Sequence, residues 1–126
     1  DMAIESIRLS EKERLQLITL KKRTKIENWN TLCRWALCIS LAEKSPPPHE
    51  ELSSDSNIEM TWKTFTGGGN EEIYLALLKM RASQDEVVIS NNELAYVRLH
   101  INRGISYLIS TTTNIVDIFD NCSKDD

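Results

Sequence analysis

The chain is short of the residues that staple or interrupt a fold. Its 126 residues include 4 Gly, 3 Pro, 3 Cys and 2 His, and aromatic side chains make up 6%. With no CxxC pair, neither a disulfide framework nor a zinc ribbon is expected. Cys33 and Cys38 lie five residues apart, about 140° around a helix, so they neither bridge nor share a face. Cys122 stands alone in a polar tail, and reduced core thiols in a cytosolic protein are expected. His49 and His100 are far apart with no ligand spacing, so no metal and no cofactor is expected. Long apolar runs are missing too. A bilayer span needs about 20 apolar residues, and the longest uncharged stretch is too polar for that. The sequence shows no basic-then-apolar leader, so the cytoplasm is the expected compartment, and Asp1 before Met2 reads as a processing or expression remnant.

What is present supports one folded domain. Hydrophobic residues make up 40% and charged residues 27%, enough for a core and too apolar for wholesale disorder. The formal net charge of −4 ordinarily counts against a nucleic-acid partner, but it hides a split. Residues 1–44 hold 9 basic and 6 acidic side chains, or +3, whereas residues 45–126 hold 6 basic and 13 acidic, or −7. Asymmetry of this kind points to an anionic partner on the basic half.

Along the chain, Ile7 and Leu9 alternate around Arg8, so Ile4–Leu9 reads as a brief strand. Ser10 and Glu13 then form a capping box, opening a helix expected to turn Leu15, Ile18, Leu17 and Leu20 inward. That helix ends in Lys21, Lys22, Arg23 and Lys25, where cations complement the negative helix end. A second helix opens near Glu27 or Asn28. Trp29, Leu32, Cys33, Ala36, Leu37 and Ser40 share one face, and Trp35, Cys38, Ile39 and Ala42 occupy the other. A helix apolar nearly all round is a buried one. In so small a chain it is expected to be covered by a second subunit, with Trp29, Leu32, Trp35, Ala36 and Ile39 as the oligomer core.

Pro46–Pro48 starts a stiff connector, and the alternation from Ile58 to Phe65 predicts a second strand. Gly67–Gly69 precedes a helix over about Asn70–Ala82 that presents Ile73, Ala76, Leu77 and Met80. A last helix begins near Asn91 or Asn92, with Leu94, Val97, Ile101, Ile105 and Leu108 inward, and frays at Thr111–Thr113; the patch from Ile115 to Phe119 is expected to dock back. The expected domain is single, 1–126. It comprises a basic strand-helix-helix unit (1–44), a Pro/Gly-bounded linker with a short strand (45–69), and C-terminal helices with a polar tail (70–126).

Most candidate chemistry fails on spacing. The triple glycine lacks the Lys-Ser/Thr of a P-loop, and Glu71 and Glu72 beside it repel phosphate, so it reads as a hinge. Cys33 and Cys38 sit among apolar neighbours, which makes poor thiolates. His100 and Arg103, three apart on one helix face, are additional candidates for contacting an anion, as is Arg8 on the strand. No nucleophile with a base can be assembled, and no enzyme is expected. The cluster Lys21, Lys22, Arg23 and Lys25 stands out instead. A short strand, a capped helix, a basic turn and a very apolar helix follow the order of a ribbon-helix-helix DNA-binding unit, in which two chains pair their strands. The basic turn then meets phosphates and reads no bases.

The residues themselves carry a resemblance. Trp29-Asn30-Thr31-Leu32-Cys33-Arg34-Trp35-Ala36-Leu37-Cys38 with Ser40-Leu41-Ala42-Glu43 resembles the signature block of the DndE family of bacterial DNA phosphorothioation (sulfur modification). Arg8-Leu9-Ser10 and Leu20-Lys21-Lys22-Arg23-Thr24 agree with it. So do Glu72, Tyr74, Ala76, Leu77, Leu78, Lys79 and Arg81, and Arg103-Gly104-Ile105 with Tyr107-Leu108, so the resemblance spans about residues 4–108. It implies a non-enzymatic, homo-oligomeric protein, tetrameric where characterised, that binds duplex DNA and favours nicked DNA. Its implied partners are a cysteine desulfurase, a sulfurtransferase-like iron–sulfur protein and an ATPase. The expectation is a mainly α DNA-binding accessory subunit whose contacts are Lys21, Lys22, Arg23 and Lys25. The alternative is a scaffold for the other sulfur-modification subunits without direct DNA contact.

Overall fold

Residues 3–112 are described by a computed structural model, from which the following geometry is taken. Thr113–Asp126, including Cys122 and the Ile115–Phe119 patch expected to dock back, and the first two residues lie outside them. The element order is β1 (Ser6–Arg8), α1 (Glu11–Thr24), α2 (Trp29–Ala42), β2 (Glu59–Thr61), α3 (Trp62–Thr66), α4 (Glu71–Gln84) and α5 (Glu93–Thr111).

The capping box at α1 forms as its sequence dictates. Ser10 Oγ accepts from the Glu13 amide at 3.1 Å, and the Ser10 amide donates to Glu13 Oε1 at 2.8 Å. The inward face, however, is Glu13, Leu17, Leu20 and Thr24. Leu15, expected inside, is 53% exposed, and Ile18 is only half-buried. The face turned because Glu13 is buried with a partner. Its Oε1 accepts from Arg98 Nη2 at 2.9 Å, and that arginine also reaches the Ser53 carbonyl and Ser54 Oγ. A carboxylate that reads as surface in the sequence thus anchors the core side of the helix.

β1 pairs antiparallel with β2 in register Ser6↔Thr61, Ile7↔Met60, Arg8↔Glu59. The strand partner therefore comes from the same chain, not from a second copy as in a ribbon-helix-helix unit. The second strand is also shorter than its alternation predicts. After Thr61 the chain turns into α3, because the Thr61 side chain caps it by accepting from the Thr64 amide. Gly67, at φ 88°, closes it as a left-handed cap. Trp62 and Phe65 are both buried with their rings stacked 5.4 Å apart, so a spacing of two gives way to one of three. Ile58, Met60, Trp62 and Phe65 join the same core as α1, α2 and α5, so segment 45–69 contributes to that core.

The centre of the molecule is the antiparallel crossing of α2 and α5. Gly104 lies so close to Ala36 that a Cβ built on it would fall 1.8 Å from the Ala36 carbonyl oxygen. Leu32, Cys33, Ala36 and Leu37 on α2 meet Val97, Ile101, Ile105 and Leu108 on α5, all fully buried or nearly so. Leu94, expected in that stripe, is exposed. A single copy of the chain thus covers one face of α2: Leu32, Ala36 and Ile39 are buried within it, whereas Trp29 and Trp35 of the expected oligomer core keep a partly exposed surface. Cys38 and Ala42 on its far side face outward, so α2 is not apolar and buried all round.

Candidate nucleic-acid interface

The turn between α1 and α2 brings the basic cluster together. Thr24 Oγ1 donates to the Leu20 carbonyl at 2.8 Å and accepts from the Ile26 amide at 3.1 Å, closing the helix end. Lys25 adopts φ 64°, and its amide donates to the Lys21 carbonyl. Lys21 Nζ sits over the Trp29 ring, 3.6 Å from its centroid, so the first tryptophan of α2 seats a cation of α1. Arg23 Nη1 donates to the carbonyls of Ile109 and Thr112 at 2.8 and 3.2 Å, capping the end of α5. Lys22 and Lys25 are exposed, and their ammonium groups make neither a hydrogen bond nor an ion pair among the described residues. Four neighbours in sequence therefore divide their work: Arg23 holds the scaffold, Lys21 is oriented on an aromatic face, and Lys22 and Lys25 point charge into solvent. Asn28 completes the turn as the α2 cap, its Oδ1 accepting from the amides of Asn30 and Thr31.

The other three candidate contacts lie elsewhere. Arg8 donates to Glu59 Oε1 at 2.9 Å and to the Ser56 carbonyl at 3.0 Å, so its charge is already matched on the sheet. His100 is fully buried and Arg103 is 7% exposed, which leaves no surface on which the two meet an external anion. Both serve the C-terminal end of α2. Arg103 Nε donates to Ser40 Oγ at 2.9 Å, leaving the Ser40 hydroxyl proton for His100 Nδ1 at 2.8 Å, while Arg103 Nη2 donates to the Ser40 carbonyl. Arg81 from α4 reaches the carbonyls of Leu41, Glu43 and Ser45. Two guanidinium groups thus satisfy carbonyls that a helix end leaves free, where positive charge also complements the dipole. Burial, with Arg103 and Arg81 nearby, holds the His100 pKa down at about 4, so it is neutral at physiological pH.

Neither Arg81 nor Arg98 reads as structural from the sequence, because a buried charge looks like a surface charge until its partner is known. Burial pushes the Cys33 thiol well above its ordinary range, so it is not a nucleophile at neutral pH. Among the described residues, no three His, Cys, Asp or Glu side chains are grouped to hold a metal, and no helix is long and apolar enough to cross a membrane.

A family model described as DNA sulphur modification protein DndE matches residues 6–115. The chain belongs to the DndE family. Membership ties it to DNA phosphorothioation, and DndE proteins are accessory to that sulfur modification, not known as its catalytic subunit. Family membership places the chain among the proteins of a sulfur-modification system. The matched stretch covers the α1–α2 turn, the α2–α5 crossing and α4 alike. No curated protein matches the chain.

Proposed function

We propose that this DndE-family chain is a cytoplasmic, non-enzymatic DNA-binding subunit of the sulfur-modification system that docks on the duplex backbone through its α1–α2 turn. The observation that carries this reading is the pair Lys22 and Lys25, solvent-facing and unpaired among the described residues, beside Lys21 on its tryptophan seat. Arg23 belongs to the same cluster but acts by fixing the turn against α5. Cations of this kind neutralise phosphates and release counterions without reading bases. The subunit is a homo-oligomer, a tetramer in this reading, so several turns grip one duplex. Nicked DNA is favoured because it bends at lower cost.

Salt dependence tests the contact directly. Each phosphate contact contributes about 0.9 to the log–log slope of affinity against salt. Replacing Lys21, Lys22 and Lys25 by Ala is expected to lower that slope by about 2–3 per engaged turn on that scale, with the fold intact. An unchanged slope in a folded variant overturns the assignment. The acidic half of the chain, at −7, favours a second reading, in which the protein is a scaffold for the other sulfur-modification subunits. The purified chain alone, mixed with duplex DNA at physiological salt, separates the two: retardation supports direct binding, and free DNA supports the scaffold.

A further inference from the structure

Helix α4 has two apolar faces, and the core uses one. Leu78 and Ala82 are buried, with Leu75 packed partly against the same core. On the opposite side Ile73, Ala76, Leu77 and Met80 recur at i, i+3, i+4 and i+7, within roughly 100° of the helix circumference. Ile73 is 61% exposed, Leu77 44% and Met80 55%, and Val88 in the following turn is 84% exposed. A contiguous apolar stripe on an otherwise charged surface marks a contact.

The charges beside the stripe say what fits it. Glu72 and Lys79, both exposed, lie seven residues apart on one edge of the stripe, one before its centre and one after. The other edge, Tyr74 and Arg81, turns towards the protein. An antiparallel second α4 centred near Ala76 sets Lys79 of each copy against Glu72 of the other; a parallel one sets them against the wrong edge. Ala76, the small residue at the centre, permits close approach. A groove of about 730 Å³ runs along the same edge, with Ile4, Trp62, Ile73, Ala76 and Lys79 in its wall.

We propose that α4 is the two-fold surface on which a second copy of this chain docks antiparallel. This deepens the homo-oligomeric part of the reading above and is independent of DNA binding. The test uses the full chain and its native mass over a range of concentrations, with circular dichroism to verify folding. The wild type is expected to be larger than one chain. Leu77→Glu should weaken association at least tenfold while keeping its helical signal. Glu72→Lys and Lys79→Glu should each weaken it, and the double swap should restore it, since each copy again meets its complement. In a Cys38→Ser, Cys122→Ser background, Ala76→Cys should cross-link two copies on oxidation.

A wild type that stays a single chain at every concentration overturns the proposal. So does a folded Leu77→Glu protein of unchanged mass, which would put the contact elsewhere. A double swap no better than the single ones means that another segment or another protein occupies the stripe, and the proposal fails. None of these outcomes depends on the salt slope of the lysine variants, so the α4 contact and the DNA contact fail separately.

Discussion

Helices α2 and α4 are equal in length, fourteen residues each, and opposite in fate. α2 is the more apolar and reads as the element that a second subunit must cover. Yet α5 closes over it within one chain, down to backbone contact at Gly104 and Ala36. α4 reads as an ordinary amphipathic helix, yet the apolar stripe that its sequence gathers on one face is the one left in water. Apolar content measures how much surface a helix must bury. It does not say whether its own chain or another one buries it. That depends on which neighbours come close enough, and here Gly104 lets α5 cover the Leu32–Leu37 face of α2.

The largest expected effect breaks the α2 side of this comparison. Gly104→Ala would gain about 1 kcal/mol of helix propensity at an unconstrained site. Here the added methyl meets the Ala36 carbonyl oxygen at 1.8 Å, with backbone on both sides and no side chain able to yield. Overpacking wins, and the variant should lose about 3 kcal/mol or more, measured by urea unfolding. A stable Gly104→Ala protein would mean that the two helices are not in contact there, and the account of how α5 covers the inner face of α2 would go with it.

A smaller effect probes how the end of α2 is sealed. His100 has its pKa held at about 4 in the folded state, against about 6.5 when unfolded. Between those values the unfolded chain binds the extra proton, so stability rises with pH through that window and is lost as pH falls from about 6.5 towards 4. His100→Gln removes this proton. Its stability should fall less steeply than that of the wild type over the same window, with the carboxylates contributing equally to both. Parallel curves would show that His100 is not the buried neutral partner of Ser40.

Several parts of this arrangement were legible in the sequence, and each has a local cause. The capping box at Ser10 and Glu13, the α1–α2 boundary and the inner face of α5 from Val97 to Leu108 follow from residues within one or two turns. The resemblance carried by the tryptophan block agrees with the family match. What misled were features settled by distant partners. Glu13 turns inward because Arg98 lies 85 positions away in the chain. Leu15 turns outward as a consequence. Trp62 leaves the strand alternation because Thr61 caps a helix and Phe65 stacks on it. For the candidate site, the cluster at Lys21–Lys25 was visible as charge alone. That Arg23 braces α5, that Trp29 seats Lys21, and that His100 and Arg103 serve the end of α2 depends on contacts spanning up to 89 positions.

The smallest expected effect is the one that isolates α4. Leu77 and Leu78 are adjacent and chemically identical, but Leu78 is buried at 1% exposure and Leu77 is 44% exposed. At a concentration where the chain is a single copy, Leu77→Ala removes no packed surface and leaves a good helix former in place. It should therefore change unfolding stability by less than about 0.5 kcal/mol. Raising the concentration should open a gap between wild type and variant, because association stabilises only the copy that retains the stripe. That gap separates an α4 built for a partner from an α4 that is merely exposed. A concentration-independent loss comparable to the truncation of a core leucine, about 2–5 kcal/mol, would show that Leu77 is packed within its own chain after all, and α4 would then resemble α2.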